Sequence, residues 1–182
     1  MIGAIVAGGL SAMTPPVTSS YESIATANGT GSSTVITFSS IPSDYKHLQI
    51  RWIGRSTGVN SSIYLRFNGD TASNYSYHEL QGDGSSATAA AAASLNFIYV
   101  GQVFNTTSTF GAGVIDVLDY TLVNKNKTIR SLTGRDQNGS GAIFLQSGAW
   151  FNSSTAVNSI TITSNGGNLD SNSSFALYGI KG

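Results

Sequence analysis

The sequence predicts an all-β chain: an antiparallel β-sandwich, jelly-roll-like, with an extended N-terminal arm. Three observations predict it. Short runs of alternating apolar and polar residues recur along the chain, the period of strands with one wet face. Clusters of Asn, Asp, Gly and Ser separate these runs, as turns require. No long stretch reads as a helix. The organisation follows: residues 1–19 form an apolar docking arm and a Pro-Pro joint, and residues 20–182 form the sandwich domain.

The arm opens with the apolar run Met1 to Leu10, in which Ile2, Ile5, Val6 and Leu10 are the candidate docking residues. No Lys or Arg precedes Lys46, so the basic start of a signal peptide is missing. The run is also too short and too broken by glycine to span a bilayer. Apolar side chains on an isolated tail gain little in water and much in a groove. Thr14-Pro15-Pro16-Val17 then makes a stiff, extended joint.

Tyr21 to Thr26 reads as the first strand, Asn28-Gly29-Thr30-Gly31 as a turn and Thr34 to Phe38 as the returning strand. The organising strand comes next. Pro42, Ser43 and Asp44 make a bend. Leu48, Ile50 and Trp52 then point one way, and Gln49, Arg51 and Arg55 the other. Trp52 and Trp150 are expected in the core. In Ser62 to Phe67, Ile63, Leu65 and Phe67 take one face and Tyr64 and Arg66 the other. Asn68-Gly69-Asp70 is a strong turn signal. Tyr75 to Leu80 reads as a strand that places Tyr75, Tyr77 and Glu79 on one face. The alanine-rich stretch from Ser85 to Ser94 is expected to form a turn or two of helix or an ordered loop. Further strands are expected over 95–100, 113–120, 127–133, 142–146, 157–163 and 174–180.

Charged residues make up 10 % of the chain, nine basic against nine acidic. An average soluble domain carries about 25 %. This balance gives no reason to expect nucleic acid or an anionic membrane as partner. The chain has no cysteine, which excludes disulfides, thiolate nucleophiles and Cys-ligated zinc.

Candidate chemistry is sparse. The two histidines are His47 and His78, and His78 and Glu79 point to opposite faces of a strand. Asp116 and Asp119 likewise face opposite ways and make a poor acid–base pair. The loops around Asp70, Asp83 and Asp136 are rich in oxygen, but none has the ligand spacing of a calcium loop. Turn chemistry accounts for all three. No catalytic residue, metal or cofactor is expected, and the chain is read as not an enzyme. Tyr64, Tyr75 and Tyr77 are the best binding candidates, either stacking on a glycan or packing in an interface.

The phrases Ser20 to Thr26, Ser39 to Arg51, Leu65 to Asp70 and Ser174 to Gly182 together resemble small virion-associated proteins of tailed bacteriophages, many from aquatic phages. The resemblance covers roughly Ser20 to Gly182. It implies a jelly-roll-like fold and a non-enzymatic structural role on the outer surface of a phage particle. Capsid decoration (a cement protein) is preferred, with a tail or fibre component or a glycan-binding receptor-recognition module as alternatives. The implied partners are other virion proteins. A homotrimer is expected, partly by analogy. The physical reason is that Tyr64, Tyr75, Tyr77, Tyr99 and Tyr178 are too many for one thin core.

Overall fold

The structure is a computed structural model and describes residues 19–182; the arm residues Ile2, Ile5, Val6 and Leu10 lie outside them. Among the described residues there are twelve strands. They are β1 (Tyr21–Asn28), β2 (Val35–Phe38), β3 (His47–Gly54), β4 (Ser61–Phe67), β5 (Tyr75–Gly82) and β6 (Ala87–Leu95), followed by β7 (Ile98–Val103), β8 (Gly111–Leu118), β9 (Lys127–Asp136), β10 (Gly141–Trp150), β11 (Ile160–Ser164) and β12 (Ser174–Ile180). The large sheet runs β1-β12-β3-β8-β9-β10-β5-β6 and the small one β2-β11-β4-β7. All neighbouring pairs are antiparallel.

The order is that of a jelly roll with two insertions. Without the hairpins β5–β6 and β9–β10, the sheets reduce to β1-β12-β3-β8 facing β2-β11-β4-β7. That is the double Greek key of eight strands in two packed sheets. The inserted hairpins join the large sheet beyond β8 and extend it into a four-stranded wing.

The alternation read from the sequence sets the core. Leu48, Ile50 and Trp52 of β3 are buried, as are Ile63, Leu65 and Phe67 of β4 and Ile160 and Ile162 of β11. Trp52 stacks on Phe175 of β12 with ring centroids 5.8 Å apart. Trp150 stacks on Tyr75 at 6.2 Å and tilts over Phe67 at 5.5 Å. Its indole N–H donates to Asp70 Oδ2 at 2.7 Å. Asp70 also accepts from the Ala72 N–H and from Asn74 Nδ2. Burial pushes the Asp70 carboxyl up, but these three donors outweigh it and hold the group below the ordinary aspartate range. The turn after β4 is thereby tied to the end of β10.

Two sequence expectations are corrected here. The alanine-rich stretch is neither helix nor loop. It is β6, and residues 87–92 pair in unbroken register with Gly82 to Tyr77 of β5. Alanine favours helix, but one isolated turn or two is marginal, whereas β5 offers a ready ladder. The hairpin turn is built by Asp83, whose carboxylate accepts from the N–H groups of Ser85 and Ser86 at 2.8 and 2.7 Å. Asp119, in turn, is not on a strand with Asp116. It follows β8 with a φ of 49°, and its carboxylate meets Lys46 and Lys125.

Lys127 is fully buried at the start of β9. Its ammonium donates to the carbonyls of Leu122, at 2.6 Å, and of Lys125, at 3.1 Å, with Asn152 O at 3.4 Å. Burial, then the neighbouring Lys125 charge, lowers its pKa. The wing itself is held by close backbone approach. A Cβ at Gly101 of β7 would overlap Thr133 of β9, and a Cβ at Gly148 of β10 would overlap Ile98 of β7. Gly101 also has a φ of 130°, which favours glycine.

Gly148→Ala is expected to destabilise the domain by about 1–3 kcal/mol, the usual range for overpacking a filled site. Urea denaturation monitored by tryptophan fluorescence measures it. An unchanged midpoint would mean that β7 does not pack this closely on β10.

Candidate functional site

The small sheet ends at β7, and the wing curls past that edge. Tyr99 of β7 points away from the main core, yet it is buried. It packs edge-on against Phe144 of β10 with centroids 6.1 Å apart and lies 5.6 Å from Tyr77 of β5. A groove of about 270 Å³ lies between the back of the small sheet and the inner face of the wing. Ser62, Tyr64, Phe97, Tyr99 and Gln102 line one wall; Tyr77, Glu79 and Gln81 line the other.

Each wall follows from strand period. Tyr64 alternates with the buried Ile63 and Leu65 and therefore faces out. It stacks on Phe97 at 3.8 Å, and its hydroxyl accepts from Asn165 Nδ2 at 2.7 Å. Register pairs Tyr64 with Tyr99 across β4 and β7. On the wing, Tyr77, Glu79 and Gln81 are alternate residues of β5. Register also sets Gln146 of β10 beside both Glu79 and Ser131 of β9. Gln146 Nε2 donates to Glu79 Oε2 at 2.8 Å, and Ser131 Oγ donates to Gln146 Oε1 at 2.7 Å.

This buried relay holds the Glu79 carboxylate at the groove wall. Burial pushes its pKa up, partly opposed by the Gln146 hydrogen bond. Burial, then the nearby Glu79 charge, also raises the hydroxyls of Tyr77 and Tyr99. Glu79 is the one carboxylate among the lining residues. Glycosidic cleavage by the usual route takes a pair of carboxylates. The chemistry present suits binding: ring faces beside amide and carboxylate hydrogen-bonding groups.

The structure separates the three tyrosines. Tyr64 and Tyr77 meet across this groove through Tyr99. Tyr75 does not join them. It is fully buried in the main core, where its hydroxyl accepts from the Phe67 N–H at 3.2 Å and lies 3.3 and 3.2 Å from the carbonyls of Phe67 and Asp70. Burial raises that hydroxyl to about 12. Strand alternation placed Tyr75 on the right face, but that face is core at one end and groove at the other. Tyr178 stacks on Tyr21 at 4.7 Å. All five tyrosines behind the trimer expectation have ring partners within one chain, while Tyr64, Tyr77 and Tyr178 stay half-exposed. Sequence reasoning missed Phe97, Gln81, Gln102 and Gln146; the polar alternation of Glu79 and Gln81 was the available signal.

His47 Nδ1 accepts from the Asp119 N–H at 3.0 Å. His78 is exposed on the opposite side of β5 from Glu79. Among the described residues no three His, Cys, Asp or Glu side chains are grouped to hold a metal ion. Compared with protein-family models, with curated proteins and with solved structures, the chain finds no match.

A pH dependence follows from Glu79. Its folded pKa lies above the ordinary glutamate value of 4.5, so folding favours the protonated form. The stability this contributes is fully present below that value and is lost as pH rises through the raised one. Glu79→Gln keeps an acceptor for Gln146 but does not titrate. The melting temperature of the variant relative to wild type is expected to rise between about pH 4 and 7. Parallel melting-temperature profiles would contradict the assignment.

Proposed function

We propose that the chain is a non-enzymatic structural protein of a tailed-phage virion. It is a capsid decoration protein on the outer surface of the particle, docked through Ile2, Ile5, Val6 and Leu10 of its N-terminal arm. The supporting observation is where the phage-like phrases fall in the fold. Ser39 to Arg51 spans the bend into β3 and most of β3, and Ser174 to Gly182 contains β12. These two strands pair with each other in the interior of the large sheet. Leu65 to Asp70 closes β4 and supplies the carboxylate that holds Trp150. The resemblance therefore lies in the frame of the domain and not in its groove, which favours a shared structural role over a shared reaction.

Deletion of residues 1–11 is expected to leave a folded β domain that no longer enters particles. Purified particles from phage encoding the full-length and truncated chains, compared by mass spectrometry, measure this. Normal incorporation of the truncated chain would overturn docking through the arm. Absence of the full-length chain from particles would overturn the virion assignment. Density on the tail rather than the capsid in a particle map would select the tail or fibre alternative.

A second reading, glycan recognition, is favoured by the groove. Rings of Tyr64, Phe97 and Tyr77 stand beside Glu79, Gln81 and Gln102, a set able to stack on a pyranose and bond its hydroxyls. Signals on a glycan array that fall at least about tenfold with Tyr64→Ala would support it, a loss of some 1.4 kcal/mol. An array without signal, or signal indifferent to Tyr64→Ala, would remove it.

A further inference from the structure

We propose that β6 is a dimerisation edge, which pairs antiparallel with the β6 of a second copy and joins two large sheets into one. A sheet edge presents a row of unpaired N–H and C=O groups, and proteins usually guard it with charge, proline, a bulge, brevity or a cover. The other edges among the described residues are guarded. β1 carries Glu22, paired with Lys181, and a bulge between Ser23 and Ala25. β2 has only four residues. β7 lies against β9, with Gly101 on Thr133. β6 is nine residues long, reads ATAAAAASL and is exposed from Ala87 to Ala91. It has no charge and no proline; its register slips once, between Ala92 and Leu95, and its regular part runs unbroken from residue 87 to 92.

The composition selects the occupant. A foreign peptide added to an edge is chosen by pockets for its alternate side chains. An alanine strand offers none. A two-fold contact requires a surface that complements itself, and like charges placed opposite each other would spoil it. Here the residues brought opposite each other are alanine and threonine, small and neutral on both faces. Two such edges bury less than the roughly 800 Å² per partner of a standard interface, so the dimer is a modest one held mainly by main-chain hydrogen bonds.

The outer face of the large sheet is the rival surface for association. Leu132, Leu145 and Leu80 form a cross-strand row that reaches Ala89 at the edge, and each is about half exposed. The two surfaces can be told apart. Sedimentation velocity of the full-length chain, up to about 100 µM, is expected to give a reversible monomer–dimer equilibrium. The Thr88→Lys/Ala90→Lys double variant adds edge charge at exposed positions on the opposite face from that row. It is expected to weaken dimerisation at least tenfold, with circular dichroism and melting temperature unchanged. Leu145→Lys, on the outer face, is expected to leave the equilibrium as it is. A monomer across that range, a trimer, or a dimer abolished by Leu145→Lys but not by the edge lysines would overturn the proposal.

Discussion

The close approach of β7 to the β9–β10 hairpin is the contact on which the rest of the molecule depends. A four-stranded sheet cannot cover an eight-stranded one, so half of the large sheet would stand unsupported. The small sheet's last strand closes that gap at two glycines. Gly101 admits Thr133, and Gly148 admits Ile98. Side chains at either point would hold the layers apart and forfeit the dispersion contacts of a filled interior. With β7 seated, Tyr99 reaches Phe144 on the far side of the small sheet, and a second apolar cluster forms there. The wing becomes part of the domain.

The groove is a by-product of that arrangement. Its depth comes from the curl of the wing past β7, and its polarity from residues that register aligns across three strands. Ser131, Gln146 and Glu79 form a relay because antiparallel pairing sets them side by side. Two other polar anchors fix the frame around it. Asp70 takes the Trp150 indole, and Lys127 gathers two carbonyls of the β8–β9 connection and that of Asn152, just past β10. Lys127 is held by backbone oxygens rather than by a carboxylate, so replacing it would take away the donor that these part-buried carbonyls share. The consequence of the fold for function is a domain with two distinct faces to offer: a concave aromatic one and a neutral edge.

Much of the frame was legible in the sequence. The alternation in β3 and β4 placed Leu48, Ile50, Trp52, Ile63, Leu65 and Phe67 inward, and the turn residues marked most boundaries. The alanine segment was not legible, because a run of one small residue type has no period to read. Tyr75 shows a different limit. Alternation tells which side of a strand a residue takes, but not what that side meets along its length; Tyr75 meets core and Tyr77, two residues on, meets the groove. Lys127 shares the buried face of β9 with Ile129 although its charge favours solvent, a conflict that strand period does not resolve. Its apolar stem and three nearby carbonyls reconcile the two. Phe97 and Gln102 belong to the site only because β7 faces the wing, a long-range relation that no local pattern encodes.

The account makes the wing and the sandwich one cooperative unit, joined through β7. Native-state hydrogen exchange at increasing denaturant tests this most directly. If the account is right, the slow amides of β9 and β10 exchange only in the same global opening as those of β3 and β12. If β9, β10 and β5 open together at lower denaturant while β3, β4, β8 and β12 stay protected, the wing is an appendage, and the close packing of β7 on it is contradicted.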